Sequence, residues 1–310
     1  MIAYGQPESA RVRAVIVNYN CAELTLRCLQ SLKAQNYAPF ELIAVDNHSD
    51  EQDWSTLQKG ADSSVILHRT DRNFGYAGGL NAGVKLDTGQ SPDYILALNS
   101  DITLGAPDSV LTLIRALQED SRRVACSPLI HDKESVAPPG ECTQVRRMPG
   151  YWTLLVAHSC WLRRTGFGRR IQHRHLYLDR IPFPLGTTVE CETINGACFM
   201  ISRPFLDAIG YMDERTFLYM EEFTLGAHIR RHTSTACLCT AVVADHIQGA
   251  STKMRARHRP LRRELQQIRS EAIYLKQYAG VGVMKMGIFR VVRATDLLLK
   301  GIAAPFGSRA

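Results

Sequence analysis

The side chains in this sequence best suited to chemistry stand directly after apolar, strand-like runs. Residues 94–101 read Tyr-Ile-Leu-Ala-Leu-Asn-Ser-Asp, a run that breaks into an amide at Asn99, a hydroxyl at Ser100 and a carboxylate at Asp101. The run ending "VDN" sets Asp46 and Asn47 in the same position, and the one ending "VNYN" sets Asn18 and Asn20 there. Taken singly, Asn18 or Asp46 reads as the cap of a following helix. Three polar strand ends along one sheet edge read instead as a ligand crevice. A carboxylate in the place of Asp101 suits a hard divalent cation, and a cation held by one or two protein carboxylates shares its shell with phosphates and water. The chemistry implied is a metal beneath a nucleoside diphosphate.

Three further groups add to this. The stretch "NFGYAGGLNAG" (73–83) brings Asn73 and four glycines, including Gly75, Gly78 and Gly79, into a loop leading to a helix. Such glycines permit positive φ and close backbone approach to an anion at a helix N-terminus, and a purely structural turn accounts for them equally well. The spacing is neither G-x-G-x-x-G nor a P-loop. A second acidic cluster holds Asp213 and Glu214, then Glu221 and Glu222 at the opening of a helix. First-turn acids are ordinary partners of the helix dipole, whereas two adjacent carboxylates beneath Phe217 and Tyr219 can raise one pKa and furnish a general base. Asp245 and His246 close the last strand-like run, His246 being either a structural residue or a metal ligand.

The elements that must position these groups alternate. Apolar runs at 13–19, 40–47, 64–69, 94–99 and 124–130 are separated by helical patterns at 22–35, 52–59, 78–86 and 107–120. That rhythm predicts right-handed βαβ units and a mostly parallel sheet with helices on its faces. It lapses over 132–185, an arginine-rich stretch read as an insertion or lid, and returns as a strand and short helix at 193–210, a helix at 221–232 and a strand at 235–246. From 259 onward the pattern is helical.

At 310 residues, the chain can bury a large core, and nine scattered cysteines without a C-x-x-C pair suit a reducing compartment. A start without a long apolar core and the lack of any apolar run of membrane-spanning length predict a cytoplasmic protein. Residues 251–310 hold 13 Lys and Arg against 3 Asp and Glu, and a second basic cluster lies at 141–185. Patches of this kind suit anionic lipid, phosphate or nucleic acid. The tail lacks interleaved stacking aromatics, so no nucleic-acid partner is expected. Within it, residues 281–304 place Lys285, Arg290, Arg293, Asp296 and Lys300 in about 140° of helical arc. Two readings stand: the helix lies in an anionic membrane surface with its basic side chains toward headgroups, or it packs on the catalytic domain.

In order along the chain, "AVIVNYN", "LIAVDNHSDE", "NFGYAGGLNAG", "LALNSD", "INGACFMISRPFLDAIGYMDERTFLYMEE" and "HIQGAS" resemble the family 2 glycosyltransferases of GT-A fold, in their rhamnosyltransferase-like branch. The resemblance implies an α/β architecture with a Rossmann-like nucleotide half, an acceptor half and a C-terminal helical extension. The expected organisation is an N-terminal extension (1–12), a catalytic domain (13–251) and a basic amphipathic tail (252–310). It further implies that Asp46, near Asn18 and Asn20, contacts the nucleotide. Asn73, Gly75, Gly78, Gly79 and Asn99 would wall the donor, Asp101 and His246 would hold Mg²⁺ or Mn²⁺, and residues 194–197 would line the acceptor side. Glu222 would be the catalytic base, with Glu221 beside it. The sequence departs from the pattern at Asn99, where the first acid of a D-x-D motif would stand, and at Glu222 and Thr224. One base without a second carboxylate nucleophile implies a single inverting displacement. The activity implied is transfer of a sugar, rhamnose foremost, from a dTDP- or UDP-sugar to a glycan or polyprenyl-pyrophosphate-linked acceptor in bacterial envelope polysaccharide synthesis. It would take place at the inner face of the plasma membrane, with the enzyme peripheral to it. The alternative is a catalytically inactive nucleotide-sugar-binding scaffold.

Overall fold

The structure, a computed structural model, describes residues 6–132, 138–141, 143–247 and 260–303. The last four residues of the "HIQGAS" motif and the expected boundary at 251–252 lie outside them. The described strands are β1 (Val12–Asn18), β2 (Phe40–Asp46), β3 (Val65–Arg69), β4 (Tyr94–Asn99), β5 (Ile102–Leu104), β6 (Arg123–Asp132), β7 (Thr188–Cys191), β8 (Cys198–Ser202) and β9 (Thr235–His246). They form one sheet in the order β3-β2-β1-β4-β8-β6-β9-β5, with β7 also on β9. β1 to β4 pair in parallel, whereas β8 is antiparallel to both β4 and β6, and β9 is parallel to β6. Six of the nine strands therefore share one direction, while β5, β7 and β8 oppose it.

Period-two alternation sorts side chains to the two faces. Ala14, Ile16, Leu96 and Leu98 face α1 (Ala22–Lys33) and α4 (Ser109–Gln118), burying Leu29, Leu32 and Leu113. Val15, Ile43, Ile95 and Ala97 face α3 (Gly75–Lys85), burying Leu80 and Val84. Both faces are covered, which is why these strands read as unbroken apolar runs. Arg13, 1% exposed, is the exception inside β1. Its guanidinium pairs with Glu41 and donates to the carbonyls of Val84 and Leu86, each at 2.9 Å, so a cation closes the C-terminus of α3.

The remaining helices are α2 (Glu51–Gly60), α5 (Tyr151–Ala157), α6 (Gly166–His175), α7 (Arg203–Ala208), α8 (Glu221–Arg231), α9 (Pro260–Gln277) and α10 (Val283–Ala303). A separate core gathers Tyr151, Leu154 and Leu155 of α5, Met220 and Phe223 at the start of α8, Tyr274 and Leu275 of α9, and Met286 and Phe289 of α10. The stretch that loses the βα rhythm is thus tied to the C-terminal helices.

Two local readings differ from the structure. α3 begins at Gly75 rather than at 78, so Gly78, Gly79 and Gly83 lie within a helix. A Cβ on Gly79 would stand 2.8 Å from Val17 Cγ1, and one on Gly83 would stand 2.5 Å from Val15 Cγ1. These two glycines let the helix lie close on β1 and β2. The middle of the polar arc of α10 points inward, not toward a surface: Arg293 and Asp296 are each 1% exposed, whereas Lys285 and Arg290 stay exposed. Arg293 pairs with Glu271 of α9 at 3.2 Å and Asp296 at 3.1 Å, and donates to the His158 carbonyl at 2.7 Å. Ser159 Oγ and the Cys160 amide donate to Asp296.

Candidate active site

Register aligns the strand ends. Asn18 is paired with Asp46, and Val17 with Asn99, so the chain leaves β1, β2 and β4 at one edge. Asn18 is fully buried: its amide nitrogen donates to Asp46 (2.9 Å), Ser49 (3.1 Å) and Asp53 (2.8 Å), and its oxygen accepts from Thr25 at 2.8 Å. It ties strand end to helix start beneath the crevice. Asp46, also fully buried, accepts further from the Ser49 amide at 3.3 Å and faces Arg69 Nε at 3.2 Å. Asn20 sits at φ 53°, its side-chain oxygen receiving the Asp50 amide at 2.7 Å. Ser49, Asp53 and Arg69 escaped the sequence reading, because no periodicity marks a residue that bonds across a turn.

Asn47 shapes the glycine-bearing segment. It donates to Asn73 Oδ1 at 3.2 Å and to the Gly75 carbonyl at 2.8 Å, and accepts from the Phe74 amide at 3.0 Å. Gly75 has φ +76°, and a Cβ there would fall 2.0 Å from the Phe217 carbonyl oxygen. Only glycine meets both demands. The contact brings the segment before α8 against the start of α3, where the Tyr76 amide donates to Phe217 at 3.1 Å.

At the next strand end, the Asn99 amide donates to the Ala197 carbonyl at 2.8 Å, and Ser100 Oγ lies 3.0 Å from Cys21 Sγ. Asp101 then meets His246 because β5, only three residues long, runs antiparallel to the end of β9 and pairs Ile102 with His246. His246 Nε2 lies 3.3 Å from Asp101 Oδ1 but is not aligned as a hydrogen bond. That buried oxygen has no hydrogen-bond partner among the described residues. Adjacent corners of an octahedral shell with bonds of about 2.1 Å stand about 3 Å apart, so the two donors fit one small divalent cation. Among the described residues no group of three or more His, Cys, Asp and Glu converges on a metal position. The described residues would thus supply at most two ligands and leave the rest to phosphate and water.

Glu222 faces the same space. A cavity of about 340 Å³ is lined by Asp132, Arg146, Asn195, Gly196, Glu222 and His246, among others. A larger hollow, about 410 Å³, lies against α8 at His228 and Arg231 and contains none of the strand-end residues. Its Asp213 is held by Arg215 and Tyr278, each at 2.8 Å, while Glu214 at its rim accepts from Asn81 at 2.7 Å. That larger hollow has no free carboxylate pair to offer, and of the two it is the smaller one that Glu222 and His246 line. Tyr219 and Met220 both adopt left-handed backbone, at φ 69° and 75°, before α8 begins. Strain of about 1–3 kcal/mol per such residue persists only where its surroundings enforce it. Here it aims Glu221 down and Glu222 outward. Glu221 is buried, which together with the neighbouring Glu222 charge pushes its carboxyl up to about 8. Glu222 accepts from Arg146 Nη1 at 3.0 Å, and a Cβ on Gly196 would stand 4.0 Å from its other oxygen. Arg146 was legible only as one of a basic cluster.

A family model described as Glycosyl transferase family 2 matches residues 14–180. The N-acetylglucosaminyl-diphospho-decaprenol L-rhamnosyltransferase of Mycobacterium tuberculosis is 27% identical over 224 residues, 68% of this chain and 68% of that protein. The low-salt glycan biosynthesis hexosyltransferase Agl10 of Haloferax volcanii is 25% identical, over 76% of this chain and 66% of that protein. Among solved structures, a mannosyltransferase from Pyrobaculum calidifontis in complex with GDP-Man and Mn²⁺ superposes with a TM-score of 0.54 at 17% identity, covering 97% of this chain and 76% of that one. GalNAc-T7 with UDP, GalNAc and Mn²⁺ gives 0.55 at 14% identity, covering 86% of this chain and 47% of that one. These likenesses show the GT-A fold.

Proposed function

The chain belongs to glycosyl transferase family 2, and from that premise we propose that it transfers a sugar from a nucleoside-diphosphate donor, by one inverting displacement, to a lipid-pyrophosphate-linked glycan of the bacterial envelope. Rhamnose is the sugar that the mycobacterial relative's name supports, and a dTDP-sugar is the donor that the motif resemblance implies for it. The observation that carries the proposal is the placing of Glu222 and His246 on one cavity, with the unpartnered Asp101 oxygen beside His246.

In this reading Asp46 and the Asn47–Asn73 segment hold the nucleotide end. Asp101 and His246 hold the divalent cation, which when bound neutralises the diphosphate leaving group. The Glu222 carboxylate takes the proton of the acceptor hydroxyl as that oxygen attacks the anomeric carbon. Arg146 already bonds Glu222 and orients it. Glu221, neutral when buried, adds no second charge beside the base. Arg146 on the cavity wall offers a guanidinium for an acceptor pyrophosphate.

The test pairs binding with turnover. Thermal-shift titration with UDP, dTDP, GDP and CMP, each with and without Mg²⁺ or Mn²⁺, should give a metal-dependent shift with one diphosphate that Asp101→Ala abolishes. Glu222→Gln should keep that shift and lose transfer by about 10²–10⁴-fold. A parent protein that binds nucleotide yet neither transfers nor hydrolyses any donor would instead be a scaffold.

A further inference from the structure

The helix α10 is inside out for a surface helix of a water-soluble domain. Its charged pair Arg293 and Asp296 and its Phe289 are buried, while Val283 (91%), Met284 (80%), Ile288 (49%), Val291 (67%), Leu298 (68%) and Leu299 (45%) are exposed. At about 100° per residue, the exposed positions from Val283 to Leu299 other than Lys285 and Arg290 sweep about 160° of the helix, with Thr295 the only polar side chain in that band. Exposed cations border this band on both sides: Arg290 about 20° before its first edge and Lys285 about 40° beyond its last. The neighbouring segment adds exposed indoles. Trp152 (58%) follows Tyr151, whose hydroxyl donates to the Lys285 carbonyl at 3.0 Å, and Trp161 (41%) follows Cys160, whose amide donates to Asp296 at 3.0 Å. A continuous apolar band of this kind marks an interaction surface rather than ordinary scatter.

We propose that this face docks on an anionic lipid bilayer, with the apolar band in the acyl boundary and Arg290, Lys285 and the indoles at the headgroups. Charge selects the occupant. A second copy would set the same cations against themselves across an isologous contact, and residues 251–310 carry 13 Lys and Arg against 3 Asp and Glu. An anionic surface complements that excess, and apolar area with a cationic border is the pattern of helices lying in the interface. The buried Arg293–Glu271–Asp296 network holds the helix in this roll, so its apolar side cannot turn inward. No described helix is long and apolar enough to span a membrane, so the attachment is to one leaflet. The inference goes beyond the transfer reading and does not depend on it.

The experiment is sedimentation of the full chain with phosphatidylcholine vesicles, with and without phosphatidylglycerol, in the absence of donor and acceptor. The parent should bind the phosphatidylglycerol vesicles. Val291→Glu combined with Leu298→Glu should cut the bound fraction by at least about tenfold without moving the melting temperature, since both sites are exposed. Lys285→Glu with Arg290→Glu should weaken binding to the anionic vesicles alone. A parent that ignores both vesicles overturns the proposal, as does binding that survives the paired glutamates. So does a parent dimer that those glutamates convert to a monomer without any vesicle binding, which would make a second copy the occupant. None of these outcomes touches transfer to a soluble acceptor, which is measured separately.

Discussion

Glu221 Oε1 is buried and meets no described hydrogen-bond partner, so the carboxyl stays protonated up to a pH of about 8. In the unfolded chain it ionises near the ordinary value of 4.5. Between those values the folded state binds the extra proton, and stability must fall as pH rises. Glu221→Gln keeps the shape and removes the titration. The variant should match the parent at pH 5 and exceed it at pH 9 by about 1–3 kcal/mol in urea unfolding, the scale of one buried unsatisfied group. A difference independent of pH would contradict a neutral Glu221. At this scale the sequence was informative about which residues gather at the crevice, because polar residues after apolar runs are conspicuous. It was silent on the division of labour among them. Asn18 looked like a ligand contact and is a buried tie, since only the fold reveals that Asp46, Ser49 and Asp53 surround its amide.

Elements show where buried charge matters. Arg293 joins α10 to α9 and to the turn after α5, and removing it leaves Glu271 and Asp296 buried without their cation. Arg293→Ala should cost about 3–5 kcal/mol. Lys300→Ala, which breaks the more exposed 2.6 Å pair between α10 and Glu264 of α9, should cost less than about 1 kcal/mol. Equal losses in denaturant titrations would refute the distinction. The long strands and helices were readable because both sheet faces are covered and their apolar runs are unbroken. β5 and β7 were not, being three and four residues long and fixed by pairing with β9. The roll of α10 was unreadable for a different reason. A one-helix pattern separates charged from apolar faces but does not say that Glu271 and Ser159 wait on the inner side.

For the molecule as a whole, two buried groups give opposing slopes in the pH dependence of stability. His175, pressed between His158 and Phe223, has its imidazole pushed down to about 3 by burial, from an ordinary 6.5. Below pH 6.5 the unfolded chain takes a proton that the folded chain refuses, so stability falls with acidity. Glu221 produces the contrary slope above 4.5. Their sum is a plateau between about 4.5 and 6.5, with stability falling on either side. Melting temperatures across pH should trace it, and Glu221→Gln should flatten the alkaline side and turn the plateau into a rise toward pH 6.5.

The three-residue pairing that joins Asp101 to His246 also sets a sequence in time. It links points almost half the chain apart, and Glu222 too lies beyond the first two thirds of the polypeptide. A chain made from its N-terminus completes β1 to β4 long before either residue emerges from the ribosome. The first four strands can therefore pair on a nascent chain that has neither His246 nor Glu222, the proposed second metal ligand and the proposed base. Under the proposed function, transfer would begin only when synthesis has passed β9.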